Sequence, residues 1–195
     1  MKGFVTKADL DAAIVQIKEA PKDDVPIGTL CFRPGFGERQ FPDQIDLTRR
    51  GGITRRGGIT GERWLKTPWL KLPDGSPDPA IQVSILGRRV HDAVRFDPQN
   101  MLHPGDTIIA DLDCSEANMP RGTLLEIGSA VLRVSGVFNT ACVKWKARYG
   151  AEAFEWINQP EYRPLRLRGL LCSIHQDGVI SKEDRILKCG VESQT

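Results

Sequence analysis

Residues 123–137, TLLEIGSAVLRVSGV, decide the fold class. Two apolar stretches, 123–127 and 130–137, flank the pair Gly128-Ser129. A two-residue turn with glycine between two strand-forming stretches predicts a β-hairpin. Short apolar stretches separated by glycine and proline continue through most of the chain. The pattern therefore indicates a β-rich protein.

Other segments extend this prediction outward from the hairpin. Further strands are expected at residues 29–32, 81–85, 107–112, 165–174 and 179–187. Short helices are expected at residues 6–20, 88–94 and 151–158, the first with Thr6 as its N-cap and Asp9 completing a capping box. Many short strands with few helices disfavour a parallel βαβ sheet and favour a closed barrel or a sandwich.

Composition excludes several classes of protein. The chain has 195 residues, 40% of them hydrophobic, and a formal net charge of +2. This charge does not by itself predict a nucleic acid or a membrane as partner. No apolar run approaches the roughly 20 residues that cross a bilayer, and the first residues lack the features of a signal peptide. We therefore expect a cytoplasmic protein with no membrane association.

The cysteines do not form a recognisable framework. The chain has five of them, an odd number without C-x-x-C spacing, and its three histidines are isolated in the sequence. Neither a set of disulfides nor a zinc site is predicted. Cys31 and Cys172 lie within apolar strands and are expected in the core, whereas Cys114 lacks neighbouring cations that would activate it.

A hexapeptide is duplicated without any change. Residues 49–54 read RRGGIT, and residues 55–60 repeat them. One interpretation is a passive insertion in a surface loop, because longer loops cost little free energy. The other is a polyanion or RNA contact made by the Arg-Gly-rich loop 49–63. The passive insertion is favoured.

The segment 138–150 is the most informative for chemistry. Cys142 lies between Asn139-Thr140 and the cations Lys144 and Lys146. If Asn139 or Thr140 caps a helix that Gly150 ends, Cys142 lies in its first turn; if the preceding strand continues, Cys142 shares a face with both lysines. Both arrangements favour a thiolate, and we prefer the helix. A thiolate can attack an electrophile, carry sulfur or bind a soft metal, but a packed, inert thiol is equally compatible with the sequence.

Several arginines suit an anionic ligand. Arg166 and Arg168 alternate with leucines, so a strand would place both on one face. Paired guanidinium groups bind phosphate well. Arg63 follows a glycine-rich loop and precedes Trp64, which could stack on a flat ring. Taken singly, each of these features is also typical of a solvated surface.

The order of these segments resembles that of the MOSC domain, named for the C-terminal domain of molybdenum cofactor sulfurases. The resemblance covers most of the chain, and its ordered set is more specific than any one motif. The segments that carry it are 20–23, Arg33-Pro34, Gly37-Glu38-Arg39, 57–64, 74–79, 111–118, 127–130, Cys142 and 166–169. It implies a mainly β fold, a closed MOSC or pyruvate-kinase-type β-barrel over residues 28–190, with residues 1–27 as an N-terminal helix and lead-in.

The resemblance also implies a function. Cys142 matches the family's reactive cysteine, which binds the molybdenum of a pterin cofactor or carries sulfur. The cofactor-binding residues expected beside it are Arg63, Asn139, Thr140, Lys144, Arg166 and Arg168. The chain departs from the family in having Asn139-Thr140-Ala141-Cys142 where relatives often have His-Thr-Gly-Cys, so no histidine adjoins the thiol in sequence.

The expected activity is therefore sulfur transfer, or reduction of N-hydroxylated compounds, with a molybdopterin-type molybdenum cofactor. The chain lacks the pyridoxal-phosphate domain of larger relatives, so pyridoxal phosphate would act only through a partner. An electron or sulfur donor protein is the expected partner, and nucleic acid is not. The alternative is a non-enzymatic polyanion-binding module that uses loop 49–63.

Overall fold

The structure, a computed structural model, describes residues 3–49, 58–59, 61–97, 99 and 103–192. Seven strands close into a barrel, in the spatial order β1-β10-β6-β7-β8-β4-β5. These strands are β1 (Val25–Leu30), β4 (Val83–Gly87), β5 (Ile108–Ala110), β6 (Thr123–Ile127), β7 (Ala130–Val134), β8 (Leu170–Gln176) and β10 (Arg185–Val191). The predicted β-rich, closed-barrel fold is confirmed.

The hairpin that was used to predict the fold class is formed by β6 and β7. Leu125 pairs with Leu132, and Ile127 pairs with Ala130. Gly128 begins the turn with a φ of 58°, and a Cβ there would lie 2.4 Å from a carboxylate oxygen of Asp184. Glycine is therefore required at this position by both its backbone angle and the lack of space.

One pair of barrel strands is parallel. β4 and β5 are joined by a connection that contains helix α2 (Arg88–Ala93), and Ile85 pairs with Ile108. A connection through a helix on the outside of the sheet is the usual way to join parallel neighbours. The barrel is thus mixed, although the sequence predicted the general architecture correctly.

Two apolar clusters stabilise the domain. The first fills the barrel with side chains that point inward from alternate strand positions, such as Ala130, Leu132 and Val134 of β7. The second lies outside the barrel, where Leu10 of α1 (Lys7–Lys18) and Trp156 of α3 (Val143–Ile157) pack near Leu86. Helix α1 begins with the predicted capping box between Thr6 and Asp9.

Helix α3 is interrupted at Gly150. This residue has φ 91° and ψ 172°, a backbone conformation that is available essentially to glycine alone. A Cβ at this position would lie 2.8 Å from the ring of Phe4. The segment after Cys142 is therefore helical, as predicted, but its N-cap is Cys142 itself rather than Asn139 or Thr140.

The strand predicted at residues 165–174 is wrong over its first half. Residues Pro160–Leu165 form a 3-10 helix, Arg166 has a left-handed backbone with φ 46°, and β8 begins only at Leu170. Gly169 has φ 83°, and a Cβ there would lie 2.1 Å from the carbonyl oxygen of Ile85. The turn at these residues removes the alternation on which a shared face for Arg166 and Arg168 depended.

A small sheet lies beside the barrel. It has the order β3-β2-β9, formed by β3 (Gly58–Ile59), β2 (Gln44–Thr48) and β9 (Gly178–Ser181). The duplicated hexapeptides fall mostly on residues 50–57 and 60, outside the described residues. Arg49, which is described, pairs with Asp177 at 3.2 Å. Neither interpretation of the duplication is tested.

Within the described residues, no helix is both long enough and apolar enough to cross a membrane.

Candidate functional site

Cys142 differs from most of the other cysteines in its exposure. Cys31, Cys114 and Cys172 are buried, whereas Cys142 and Cys189 are exposed. Burial raises the pKa of the Cys31 thiol to about 11 and that of Cys114 to about 12, so both are protonated at neutral pH. Of the two exposed thiols, only Cys142 lies at the start of a helix.

The backbone of Cys142 is fixed on its C-terminal side by helix α3. The Cys142 carbonyl accepts hydrogen bonds from the backbone N–H groups of Trp145 at 2.8 Å and Lys146 at 3.2 Å. The side chain makes no capping hydrogen bond. The sulfur is therefore free of the backbone bond that an N-cap serine or threonine would form.

A group of arginines from distant parts of the chain lies near this thiol. Arg148 interacts electrostatically with Cys142 and also with Arg39 and Arg168. Burial, followed by repulsion from Arg39, lowers the pKa of the Arg148 guanidinium. Arginine nevertheless stays charged at any physiological pH, so these residues concentrate positive charge beside the thiol.

Asp106 is the buried acidic partner within this group. Its Oδ1 accepts a hydrogen bond from Arg168 Nη1 at 2.7 Å, and its side chain is only 1% exposed. The guanidinium of Arg168 also lies 4.7 Å from the centre of the Trp145 ring. Asp106 Oδ2, Arg39 Nε and Arg148 Nε are buried without hydrogen-bond partners among the described residues. Buried polar atoms without partners are costly, which marks this region as one suited to a ligand or to water.

A polar cleft of about 80 Å³ opens beside the Asp106–Arg168 pair. Asn139 holds one side of it by donating a hydrogen bond to the carbonyl of Arg168 at 2.9 Å. Arg33 is anchored by buried Glu62, which accepts hydrogen bonds from the Arg33 backbone and Nε at 2.9 and 3.0 Å. The residues that line the cleft are Arg33, Trp69, Ile81, Gln82, Ser84, Asp106, Asn139, Arg168 and Leu171.

An exposed aromatic residue stands between two further cations. A bridge between Phe32 and Gln40 closes the loop that carries Phe36, and this ring is 74% exposed. Its centre lies 5.2 Å from Arg63 Cζ and 4.5 Å from Lys144 Nζ. Within the described part of the chain neither cation has a carboxylate partner, so their charge is available to an anion.

Two histidines lie behind the arginine group. The rings of His91 and His103 are 5.8 Å apart, and burial lowers the pKa of each to about 4. His103 interacts electrostatically with Arg39 and Arg148 and accepts a hydrogen bond from the Gly105 backbone at its Nδ1. Both rings are therefore neutral at physiological pH.

Comparison with solved structures identifies the architecture. YiiM from Escherichia coli matches 88% of this chain and 72% of its own, with a TM-score of 0.56 and 16% identity. YuaD from Bacillus subtilis matches 84% of this chain and 94% of its own, with a TM-score of 0.53 and 15% identity. The fold is MOSC-like. No family model matches the sequence, and neither does any curated protein.

Within this MOSC-like fold, the residues expected at the site separate into groups. Arg168 and Asn139 line the cleft, while Arg63 and Lys144 flank Phe36 outside it. Thr140 is exposed and lies two residues before Cys142, the N-cap of α3. Their assignment as cofactor-binding residues remains a prediction.

Arg166 is placed apart from the others. Its Nη1 donates a hydrogen bond to the carbonyl of Met119 at 2.6 Å, and its Nη2 lies 3.6 Å from Glu116. It does not line the cleft that contains Arg168. The left-handed backbone at Arg166 and the turn at Gly169 direct the two guanidinium groups to different neighbours.

Sequence reasoning did not assign to the site the three arginines Arg33, Arg39 and Arg148, or the acidic residue Asp106. Arg33 and Arg39 stand at the two ends of one glycine-rich loop, and Arg148 is six residues after Cys142. No local spacing joins these residues to Asp106. His103 was also missed, because it is distant in sequence from the thiol.

Proposed function

We propose that this protein binds a molybdenum-pterin cofactor, or carries sulfur, through Cys142. The observation that supports the proposal best is an exposed thiol whose electrostatic neighbour, Arg148, belongs to a group with Arg39 and Arg168. A thiolate and an anionic phosphate are both stabilised by such a group.

The size of the cleft limits what it can enclose. Sites that enclose a whole cofactor or drug-sized ligand measure about 300–1,000 Å³, whereas this cleft measures about 80 Å³. It fits one anionic group such as the phosphate of a pterin cofactor, held by Arg168 and Arg33 with Asn139. The remainder of the ligand would lie on the open surface that carries Trp69, which is 65% exposed, and Phe36.

The protein can offer a metal few ligands here. Among the described residues, no group of three or more His, Cys, Asp or Glu side chains could hold a metal ion. Cys142 would then be the single protein ligand, and the cofactor itself would supply the others. When bound, a molybdenum cofactor supplies a redox-active metal for oxygen-atom or sulfur transfer. The residues of the chain would bind its phosphate and hold the thiolate.

The sulfur-carrying form of the proposal uses the same thiol. The Cys142 thiolate would attack the outer sulfur of a persulfide donor, forming a persulfide on Cys142 and releasing the donor as a thiolate. No electrons are gained or lost in this exchange. As an enzyme that reduces N-hydroxylated compounds, the protein would need electrons from a donor protein.

Metal content tests the first form of the proposal. Wild type and the Cys142→Ser and Cys189→Ser variants are purified from a host that makes molybdenum cofactor, and molybdenum is measured by mass spectrometry. We expect metal in wild type and in Cys189→Ser, which removes the other exposed thiol, and loss of most of it in Cys142→Ser. Equal molybdenum in all three proteins, or none in wild type, contradicts cofactor binding through Cys142.

Cyanide-releasable sulfur tests the second form. The same three proteins are incubated with polysulfide, desalted and treated with cyanide, and the thiocyanate formed is measured. Wild type and Cys189→Ser should release sulfur in similar amounts, and Cys142→Ser should release much less. Release that is independent of Cys142 rules out this residue as the carrier.

A further inference from the structure

The interruption of helix α3 brings its two ends together. A straight helix between residues 141 and 158 would separate them by about 25 Å, because each residue adds about 1.5 Å. In the structure the backbone N–H of Ala141 lies 3.0 Å from Asn158 Oδ1. The chain must therefore fold back at Gly150, the residue with the backbone angles available essentially to glycine alone.

Asn158 uses this proximity to hold the residue before the thiol. Its Oδ1 accepts a hydrogen bond from the Ala141 N–H, and its Nδ2 donates one to the Ala141 carbonyl at 3.2 Å. Both backbone groups of Ala141, which is only 7% exposed, are thereby satisfied by one side chain.

These bonds act directly on Cys142. The Ala141 carbonyl belongs to the peptide plane that contains the Cys142 nitrogen, so fixing this carbonyl fixes the position of the Cys142 Cα, while the direction of the Cα–Cβ bond also depends on the peptide plane that follows. Helix α3 fixes the other side of Cys142 through the bonds that its carbonyl accepts. The residue is thus held from both sides, and neither contact uses the sulfur.

We propose that Asn158 is a positioning residue that keeps the Cys142 sulfur beside Arg148. The proposal rests on the proposed function, in which this sulfur is the reacting atom. The Asn158 carboxamide is polar and contributes little to apolar packing. It can, however, supply both the acceptor that the Ala141 N–H requires and the donor that the Ala141 carbonyl requires. The position of the Cys142 side chain relative to Arg148, six residues further along α3, is the property that this arrangement would preserve.

The test measures whether the thiol still senses Arg148. In a Cys189→Ser background, the rates of alkylation of Cys142 by iodoacetate, an anion, and by iodoacetamide, which is neutral, are measured and divided. A cation beside the sulfur favours the anionic reagent, so this ratio reports the contact while cancelling changes in exposure. Asn158→Ala, Arg148→Gln and the double variant are compared at low and high salt.

We expect Asn158→Ala and Arg148→Gln each to lower the ratio by about three-fold. If Asn158 acts through Arg148, the double variant should fall no further than Arg148→Gln alone. Asn118→Ala is the matched control, because Asn118 also donates to two backbone carbonyls, those of Lys22 and Asp113, at a distance from the site. This control should leave the ratio unchanged.

Three results would overturn the positioning role: an unchanged ratio in Asn158→Ala, an equal fall in Asn118→Ala, or independent effects in the double variant. None of these depends on molybdenum or persulfide. A protein in which Cys142→Ser keeps its metal but Asn158→Ala loses charge selectivity would refute the proposed function alone.

Discussion

The barrel interior and the surface around Cys142 differ in the environment that each gives to a cysteine thiol. Inside the barrel, Cys172 is fully buried and its pKa is raised by burial, among aliphatic side chains that fill the space. Around Cys142, a thiol is exposed and Arg63 and Lys144 contact a ring. Among the described residues these two cations have no carboxylate partner, and Nε of Arg39 and of Arg148 has no hydrogen-bond partner. The first region stabilises the fold, whereas the second leaves a thiol and cationic groups exposed at the surface.

The largest effect should come from the barrel interior. Leu132→Ala removes a fully buried side chain and leaves a cavity, so the free energy of unfolding should fall by about 2–5 kcal/mol. Chemical denaturation measures this change. Glu126→Ala, on the exposed side of β6, is the control and should have little effect. The alkylation rate of Cys142 in the folded variant should match wild type; a change would mean that the two regions are coupled.

Asp106→Asn should have the next largest effect, because Asp106 is buried and is the charged partner of Arg168. The variant leaves the largely buried Arg168 without its charged partner, and hydrogen bonds to charged groups contribute about 1.5–3 kcal/mol. Urea denaturation should show a loss of this size. Asp46→Asn, at an exposed position of β2, controls for the general loss of a negative charge. A loss no greater than in this control would show that the pair contributes nothing to stability.

Lowering the pH should reduce the free energy of unfolding, because of the buried histidines His91 and His103. Burial holds the pKa of His91 and His103 near 4, below their ordinary value of 6.5, so the unfolded chain binds protons first. Their contribution to stability is fully present above pH 6.5 and is lost as the pH falls toward 4, at up to about 1.4 kcal/mol per pH unit for each ring. His103→Gln should make the dependence shallower, whereas His175→Gln, at an exposed position, should not. Equal slopes in all three proteins would contradict this account.

The smallest effect on stability should come from Phe36→Ala. The ring is mostly exposed, and each cation contact at such a site contributes about 0.5–1 kcal/mol. With two such contacts, from Arg63 and Lys144, the free energy of unfolding should fall by no more than about 1–2 kcal/mol. The iodoacetate-to-iodoacetamide ratio should change more, because Lys144 loses the surface that holds it. Phe41→Ala, another exposed ring, is the control; a larger loss of stability in Phe36→Ala would place this ring in the structural region.

How much could be predicted from the sequence depends on distance along the chain. The β6–β7 hairpin and the helix after Cys142 were predictable, because turn residues and apolar spacing act locally. The strand predicted over residues 165–169 is wrong, because the alternation of leucine and arginine there is also the pattern expected of a strand. Pro164 and the positive φ of Gly169, which local sequence only hints at, produce a turn instead.

The site itself was predictable only in part. Cys142 stood out by its neighbours and by the family resemblance. The convergence of Arg39, Asp106 and Arg148 could not be predicted, because barrel closure brings together residues more than forty positions apart. The anchoring of Arg33 by Glu62 similarly depends on contact between two loops.

Because the chain reverses at Gly150, the number of residues in α3 determines whether Asn158 reaches Ala141, the residue before Cys142. Each residue of an α-helix turns the chain by about 100°. Inserting or deleting a single residue in 151–157 would rotate Asn158 away from Ala141 even if the helix remained intact. Relatives of this chain should therefore tolerate substitutions along the outer face of this half-helix far better than any change in its number of residues.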